Sequence, residues 1–167
     1  MLLLRKLTMQ DAAEVFFLRS DPAVLLHLGR EPAASIKEAE DFIKSIEEFL
    51  MENKSILWGI ALKENPGTII GSICFWNITR EHYRSEIGYA LHPNCWRKGM
   101  MKEAILKVLD YGFTTLGLHS VEARLTPANI ASTAVLESTG FIKEAYFKED
   151  FFYKGKFEDT AVYSKLS

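Results

Sequence analysis

Hydrophobic and polar positions change period several times along this chain, and each change predicts an element. Residues 2–7 read as a first strand. Thr8-Met9-Gln10-Asp11 is a capping-box variant, with Thr8 at the N-cap and Asp11 in the first turn of a helix running through Leu18. Asp21-Pro22 starts a second, short helix. Ser35-Ile36-Lys37-Glu38 is a stronger capping box. The helix it opens carries Ile36, Ala39, Phe42, Ile43, Ile46, Phe49 and Leu50 on one stripe. From Ile56 the chain reads as strands. Residues 56–62 and 68–78 flank Glu64-Asn65-Pro66-Gly67, a turn sequence that predicts a hairpin. A polar link, Glu81-His82-Tyr83-Arg84, leads into a strand where Ile87, Tyr89 and Leu91 alternate with Glu86, Gly88 and Ala90. His92-Pro93-Asn94 stops it. Trp96-Arg97-Lys98-Gly99 then turns into a helix with Met101, Ala104, Ile105, Val108 and Leu109 on one face, ending near Gly117. Residues 120–126 alternate as another strand, and a short helix follows from about Ile130 to Ser138. Gly140 stands where a left-handed cap is wanted. Residues 141–153 and 157–165 form a last hairpin around Lys154-Gly155. The order predicts one α+β (mixed α/β) domain over residues 1–167, a single sheet layer with helices on its faces.

Composition narrows the function classes. A chain of 167 residues, 48% hydrophobic and 25% charged, is long enough to bury a core without disulfides or metals. Its 20 basic and 22 acidic side chains are well mixed at a net charge of −2, so no nucleic-acid footprint is visible. No apolar run approaches the roughly 20 residues of a membrane span, and the first residues do not have the order of a signal peptide. Cys74 and Cys95 are isolated, with no metal-ligand spacing. The expectation is a cytoplasmic, reduced protein with no metal and no nucleic-acid or membrane partner. His27, His82, His92 and His119 are scattered and read as structural or surface residues.

The chemistry concentrates in residues 86–107. A strand feeding a helix through a glycine-containing turn leaves the helix's first N–H groups unpaired and pointing one way. With the positive end of the macrodipole and the cations Arg97 and Lys98, they suit a phosphate. An ordinary strand–turn–helix with a solvated basic turn fits the local features equally well.

Three stretches coincide in order and spacing. Glu86-Ile87-Gly88-Tyr89 precedes the run from His92 to Ala104. Asn129-Ile130-Ala131-Ser132 precedes Leu136-Glu137-Ser138-Thr139-Gly140-Phe141. The tail carries Asp159-Thr160-Ala161-Val162-Tyr163-Ser164. Together they resemble the GNAT N-acetyltransferase superfamily, in particular its RimJ/RimL-like branch of ribosomal-protein N-terminal acetyltransferases, over essentially the whole chain. The resemblance implies a single twisted, mostly antiparallel sheet, splayed at a central parallel strand pair, with helices on both faces. It also implies acetyl-CoA as co-substrate. The turn of Trp96, Arg97, Lys98, Gly99, Met100, Met101 and Lys102 would cradle its pyrophosphate through main-chain N–H groups. Trp96 and Met101 replace the family's usual Gln or Arg and Gly or Ala. Pantetheine would lie in the splay and pair with the backbone of Tyr89, Ala90 and Leu91. Asn129 matches a pantetheine contact and equally suits a helix N-cap.

For acetyl transfer to an amine, Glu86 is the candidate base; otherwise it is a solvent-facing strand residue. Many family members place a thiolate-protonating Tyr seven residues after the Asn, where this chain has Leu136. Ser132 is the nearest substitute donor, or a small residue packing the helix start. Tyr89 is expected in the core or the cleft wall. Trp76, Asn77 and Glu86 would shape the acceptor pocket, with Phe151, Phe152 and Tyr153 on the last hairpin. Neither cysteine has a histidine near it in sequence, so direct transfer without a covalent enzyme intermediate is expected. The acceptor is a protein N-terminus or a small amine such as a polyamine, amino acid or antibiotic. A non-catalytic acyl-CoA-binding sensor is the alternative, and a homodimer is left open.

Overall fold

A computed structural model describes residues 1–167. In chain order the elements are β1 (Leu2–Arg5), α1 (Ala12–Ser20), α2 (Pro22–Leu25), α3 (Ile36–Met51), β2 (Ile56–Leu62) and β3 (Asn65–Thr79). They continue with β4 (Arg84–Leu91), α4 (Met100–Thr114), β5 (Ser120–Leu125), α5 (Ile130–Ser138), β6 (Ile142–Tyr153) and β7 (Lys156–Leu166). The strands form one seven-stranded sheet in the order β1-β2-β3-β4-β5-β7-β6. Every neighbouring pair is antiparallel except β4 and β5, which are parallel. This is the mixed α/β architecture expected. No helix is long and apolar enough to cross a membrane.

The sheet separates two cores. On one face Ile60, Ile73, Phe75 and Ile87 pack with Ala104, Ile105, Val108 and Leu109 of α4, Val121 of β5 and Leu136 of α5. Ile73, Phe75 and Ile105 have no exposed surface, and burying each such side chain is worth about 1.5–3 kcal/mol. On the other face a smaller core joins Ala12, Val15 and Leu18 of α1 to Ala39 and Ile43 of α3. α3 covers less than its stripe predicts: only Ala39 and Ile43 are buried, while Ile36 and Phe49 are exposed. The reason is that α3 rests chiefly on α1, so only the middle of the stripe is covered.

Three local expectations change. The β2–β3 turn is Lys63-Glu64, with Leu62 paired to Asn65; Pro66 and Gly67 belong to β3 and are absorbed by register shifts. Arg5 explains this, because Nε donates to the Pro66 carbonyl at 2.8 Å and Nη2 to that of Gly67 at 3.2 Å. The same guanidinium grips buried Asp11 through two hydrogen bonds, of 2.8 and 2.7 Å. Burial alone would raise the Asp11 pKa, but hydrogen bonds from Arg5 and from Thr8 outweigh it and hold the carboxyl below its usual range. The capping residues open a short 3₁₀ turn, Met9–Asp11, ahead of α1. The central helix, in turn, ends at Thr114 rather than near Gly117.

Candidate active site

β4 and β5 pair only at Arg84↔Ser120, Ser85↔Val121 and Glu86↔Glu122. Beyond Glu86, β4 keeps its antiparallel partner, from Ile87↔Phe75 to Leu91↔Gly71. β5 meanwhile stays with β7 through Leu125↔Ala161. The sheet therefore splays, and residues 87–91 present one strand edge without a strand partner. Unpaired backbone N–H and C=O groups there, open to water, can equally take an extended, amide-bearing ligand by strand addition.

The gap opens toward the turn after β4. His92 stacks on Phe17 with ring centroids 4.5 Å apart, and Pro93–Cys95 forms one 3₁₀ turn. Trp96 lies over the turn: its indole Nε1 donates to the Leu91 carbonyl at 2.8 Å. That fastens the turn to the strand end and occupies one acceptor of the edge. Arg97 (φ +58°) and Gly99 (φ +76°) are both left-handed, which swings the chain sharply into α4. A Cβ on Gly99 would meet no atom within 4 Å, so the space before the helix N-terminus is open. Arg97, Lys98 and Lys102 are exposed around it, whereas Met100 and Met101 pack against the core. Free N–H groups, helix dipole, cations and clearance together fit a diphosphate.

Glu86 stands at the last paired position, on the face of the sheet turned to α1 and α3. A register shift between Trp76 and Thr79 puts Asn77 in a left-handed conformation (φ +50°). Its Nδ2 thereby donates to Glu86 Oε2 at 3.3 Å. Burial, with Glu122 adding repulsion, pushes the Glu86 carboxyl up to about 6, against the pull of Asn77 and Arg124. A carboxylate held near neutrality is suited to taking a proton and releasing it. Trp76 pairs with Glu86 across the strands and is exposed beside it.

On the opposite face, Tyr89 reaches across the gap. Its hydroxyl and that of Ser132 share a 2.6 Å hydrogen bond. Ser132 N–H in turn donates to Asn129 Oδ1 at 3.1 Å, so Asn129 is the N-cap of α5. Burial pushes the Tyr89 phenol up to about 12, which leaves it protonated at neutral pH. The alternation of β4 places Tyr89 on this face, but that it meets Ser132 depends on the long-range docking of α5, which no local pattern encodes. Leu136, by contrast, is wholly buried in the larger core. Position 136 thus carries no hydroxyl, and Ser132, one helical turn earlier, is the residue of α5 that meets Tyr89.

Cys74 pairs with Gly88 on the Glu86 face. Burial pushes its thiol up to about 11, leaving little nucleophilic thiolate. On the β6–β7 hairpin, Phe151 packs on Gly29 and the Tyr153 hydroxyl donates to the Arg30 carbonyl at 2.7 Å. Phe152 instead packs with Phe157 and is exposed.

Comparison with known proteins agrees with this geometry. Residues 1–142 match the acetyltransferase (GNAT) domain family. The chain is 37% identical over 163 residues to an uncharacterized N-acetyltransferase, YoaA, of Bacillus subtilis, covering 98% of this chain and 92% of that one. It is 29% identical over 118 residues to the [ribosomal protein uS5]-alanine N-acetyltransferase of Escherichia coli, covering 70% and 60%. Among solved structures, the spermidine N-acetyltransferase of Vibrio cholerae, in complex with CoA and spermine, superposes with a TM-score of 0.87 at 24% identity, covering 99% and 95%. A sheet splayed at its one parallel pair, an anion-ready turn at the mouth of that splay and the family match over most of the length lead to one conclusion: this chain belongs to the GNAT acetyltransferases and is an N-acetyltransferase that uses acetyl-CoA.

Proposed function

We propose that the enzyme moves acetyl directly from acetyl-CoA to a primary amine, either a small molecule or a protein N-terminus. Glu86 receives the amine's proton as the new C–N bond forms. The hydroxyl of Ser132, hydrogen-bonded to Tyr89, donates to the sulfur as the C–S bond breaks. Backbone of Tyr89, Ala90 and Leu91 takes the pantetheine amides, with Asn129 holding the start of α5 beside them. The turn from Trp96 to Lys102 takes the diphosphate, and Trp76 and Asn77 line the acceptor side. The relatives support the acceptor class, since spermidine and the alanine of a ribosomal protein both offer primary amines.

The observation that carries this reading is the half-buried Glu86, raised to about 6 at the point where the sheet opens. The test is thiol release from acetyl-CoA over a panel of polyamines, amino acids and N-terminal peptides. Acceptor-dependent release supports transfer. Tight acetyl-CoA binding with no release from any acceptor supports a second reading, an acyl-CoA sensor, which Leu136 favours because it leaves α5 without a phenol at that position.

A further inference from the structure

Arg30, between α2 and α3, is a cation without a counterion. Its Nε is buried and has no hydrogen-bond partner. No carboxylate acts on it: its ionisable neighbours are Arg19, which repels it, and Cys74. Arg19 is half-buried, lies over the Phe42 ring, 3.9 Å from its centroid, and has Glu38 as its own acidic neighbour. A half-buried guanidinium beside a second one, with a buried Nε left unpaired and no carboxylate of its own, is costly unless something anionic completes the site.

The backbone around Arg30 is fixed. Tyr153 donates its hydroxyl to the Arg30 carbonyl at 2.7 Å. Gly29 (φ +58°) lets the Phe151 ring close over the chain, where a Cβ would come within 2.5 Å of it. The Ala33 N–H donates to the Arg19 carbonyl at 2.8 Å, tying the segment to the end of α1.

The position of the pair relative to Glu86 follows from strand register. Cys74 is registered with Gly88 and Trp76 with Glu86, and both Arg30 and Glu86 act electrostatically on Cys74. Arg30 therefore lies on the Glu86 face with Cys74 between them, and Cys74 is one strand repeat, about 7 Å, from the position opposite Glu86. Two acids beside Glu86 are already matched. Glu122 pairs with Arg84 at 2.9 Å and Arg124 at 3.4 Å, and Asp150 with Arg124 at 3.7 Å.

We propose that Arg30, backed by Arg19, binds an anionic group on the acceptor, so that the substrate is a compact amine bearing a carboxylate or a phosphate rather than a polyamine. This rests on the acetyl-transfer reading above. Matched acceptors test it: phenylalanine against phenylalaninamide, phosphoethanolamine against ethanolamine, and spermidine as the polycation. At least one anionic member should exceed its neutral partner tenfold or more in kcat/KM, and which pair responds distinguishes carboxylate from phosphate. Arg30→Gln should raise KM for that member at least tenfold, leaving KM for acetyl-CoA and for the neutral partner unchanged; Arg19→Gln should shift it in the same direction. If Arg30→Gln does not fold, the wild-type preference and Arg19→Gln decide. Equal rates within both pairs, spermidine as the best acceptor, or failure of every anionic member to bind the CoA-loaded enzyme would each overturn the proposal. Calorimetry separates the two levels. A chain that binds acetyl-CoA and acetylates amines without preferring the anionic members overturns this inference alone, whereas one that does not bind acetyl-CoA overturns the acetyl-transfer reading with it.

Discussion

Glu86 ties a measurable pH dependence to one side chain. Its folded pKa, about 6, lies above the unperturbed 4.5, so the base form is populated only as pH rises through about 6. The kcat/KM profile should climb through that value, and Glu86→Gln should remove the acidic limb and lower turnover about 10²-fold while acetyl-CoA affinity stays constant. Linkage gives the matching sign for stability. A raised carboxyl favours the fold below its unfolded pKa, and that contribution is lost as pH rises through 6. Thermal melts of the Gln variant should therefore lose less stability than wild type between pH 4.5 and 7. Ser132→Ala removes the hydroxyl partner of Tyr89 and should slow single-turnover chemistry by roughly 1–3 kcal/mol. Leu136→Tyr gives no rescue, because position 136 is fully buried and an added ring there costs about 1–3 kcal/mol through overpacking. A silent Ser132→Ala would transfer the proton donation to water. At this scale Glu86 and Ser132 were legible as candidates from motif spacing. The Tyr89 contact and the inward turn of Leu136 were not, since both depend on how α5 is rotated against a core assembled from distant residues.

Elements add a second kind of dependence, on backbone conformation. The turn between β4 and α4 needs two left-handed residues, Arg97 and Gly99. Only one is glycine, so the site already holds some strain. Gly99→Val would add about 1–2 kcal/mol of left-handed penalty without any packing clash, since nothing lies within 4 Å of the new Cβ. The branched side chain would instead project into the space where phosphate is to approach. Calorimetry should show at least a tenfold loss of CoA affinity in a protein that still folds; unchanged affinity would remove this turn from the binding site. The glycine, the basic pair and the following amphipathic helix made this turn readable in advance. The β2–β3 turn was misplaced because Asn-Pro-Gly is a strong local turn signal, and the competing interaction, Arg5 capturing the Pro66 and Gly67 carbonyls, comes from sixty residues away.

At the scale of the whole molecule, the sequence of elements and the faces they bury follow from periodicities of two and 3.6 along the chain, whereas the strand order is set by long-range pairing. The splay is of the second kind. It comes from β5 following β7 rather than β4 after only three paired positions, a competition between long-range partners that leaves no local trace. Its consequence reaches past catalysis into the protein's life in the cell. An open strand edge in the middle of a sheet is a template for unwanted strand pairing, and a ligand bound along it, as proposed above, would act as the missing strand. A co-substrate present at a hundred times its Kd would add about 2.7 kcal/mol to the native state. If pantetheine lies in the splay as proposed, the enzyme's persistence is indexed to the supply of the acetyl donor it spends: abundant acetyl-CoA would both drive the reaction and close the seam that the unliganded protein leaves open.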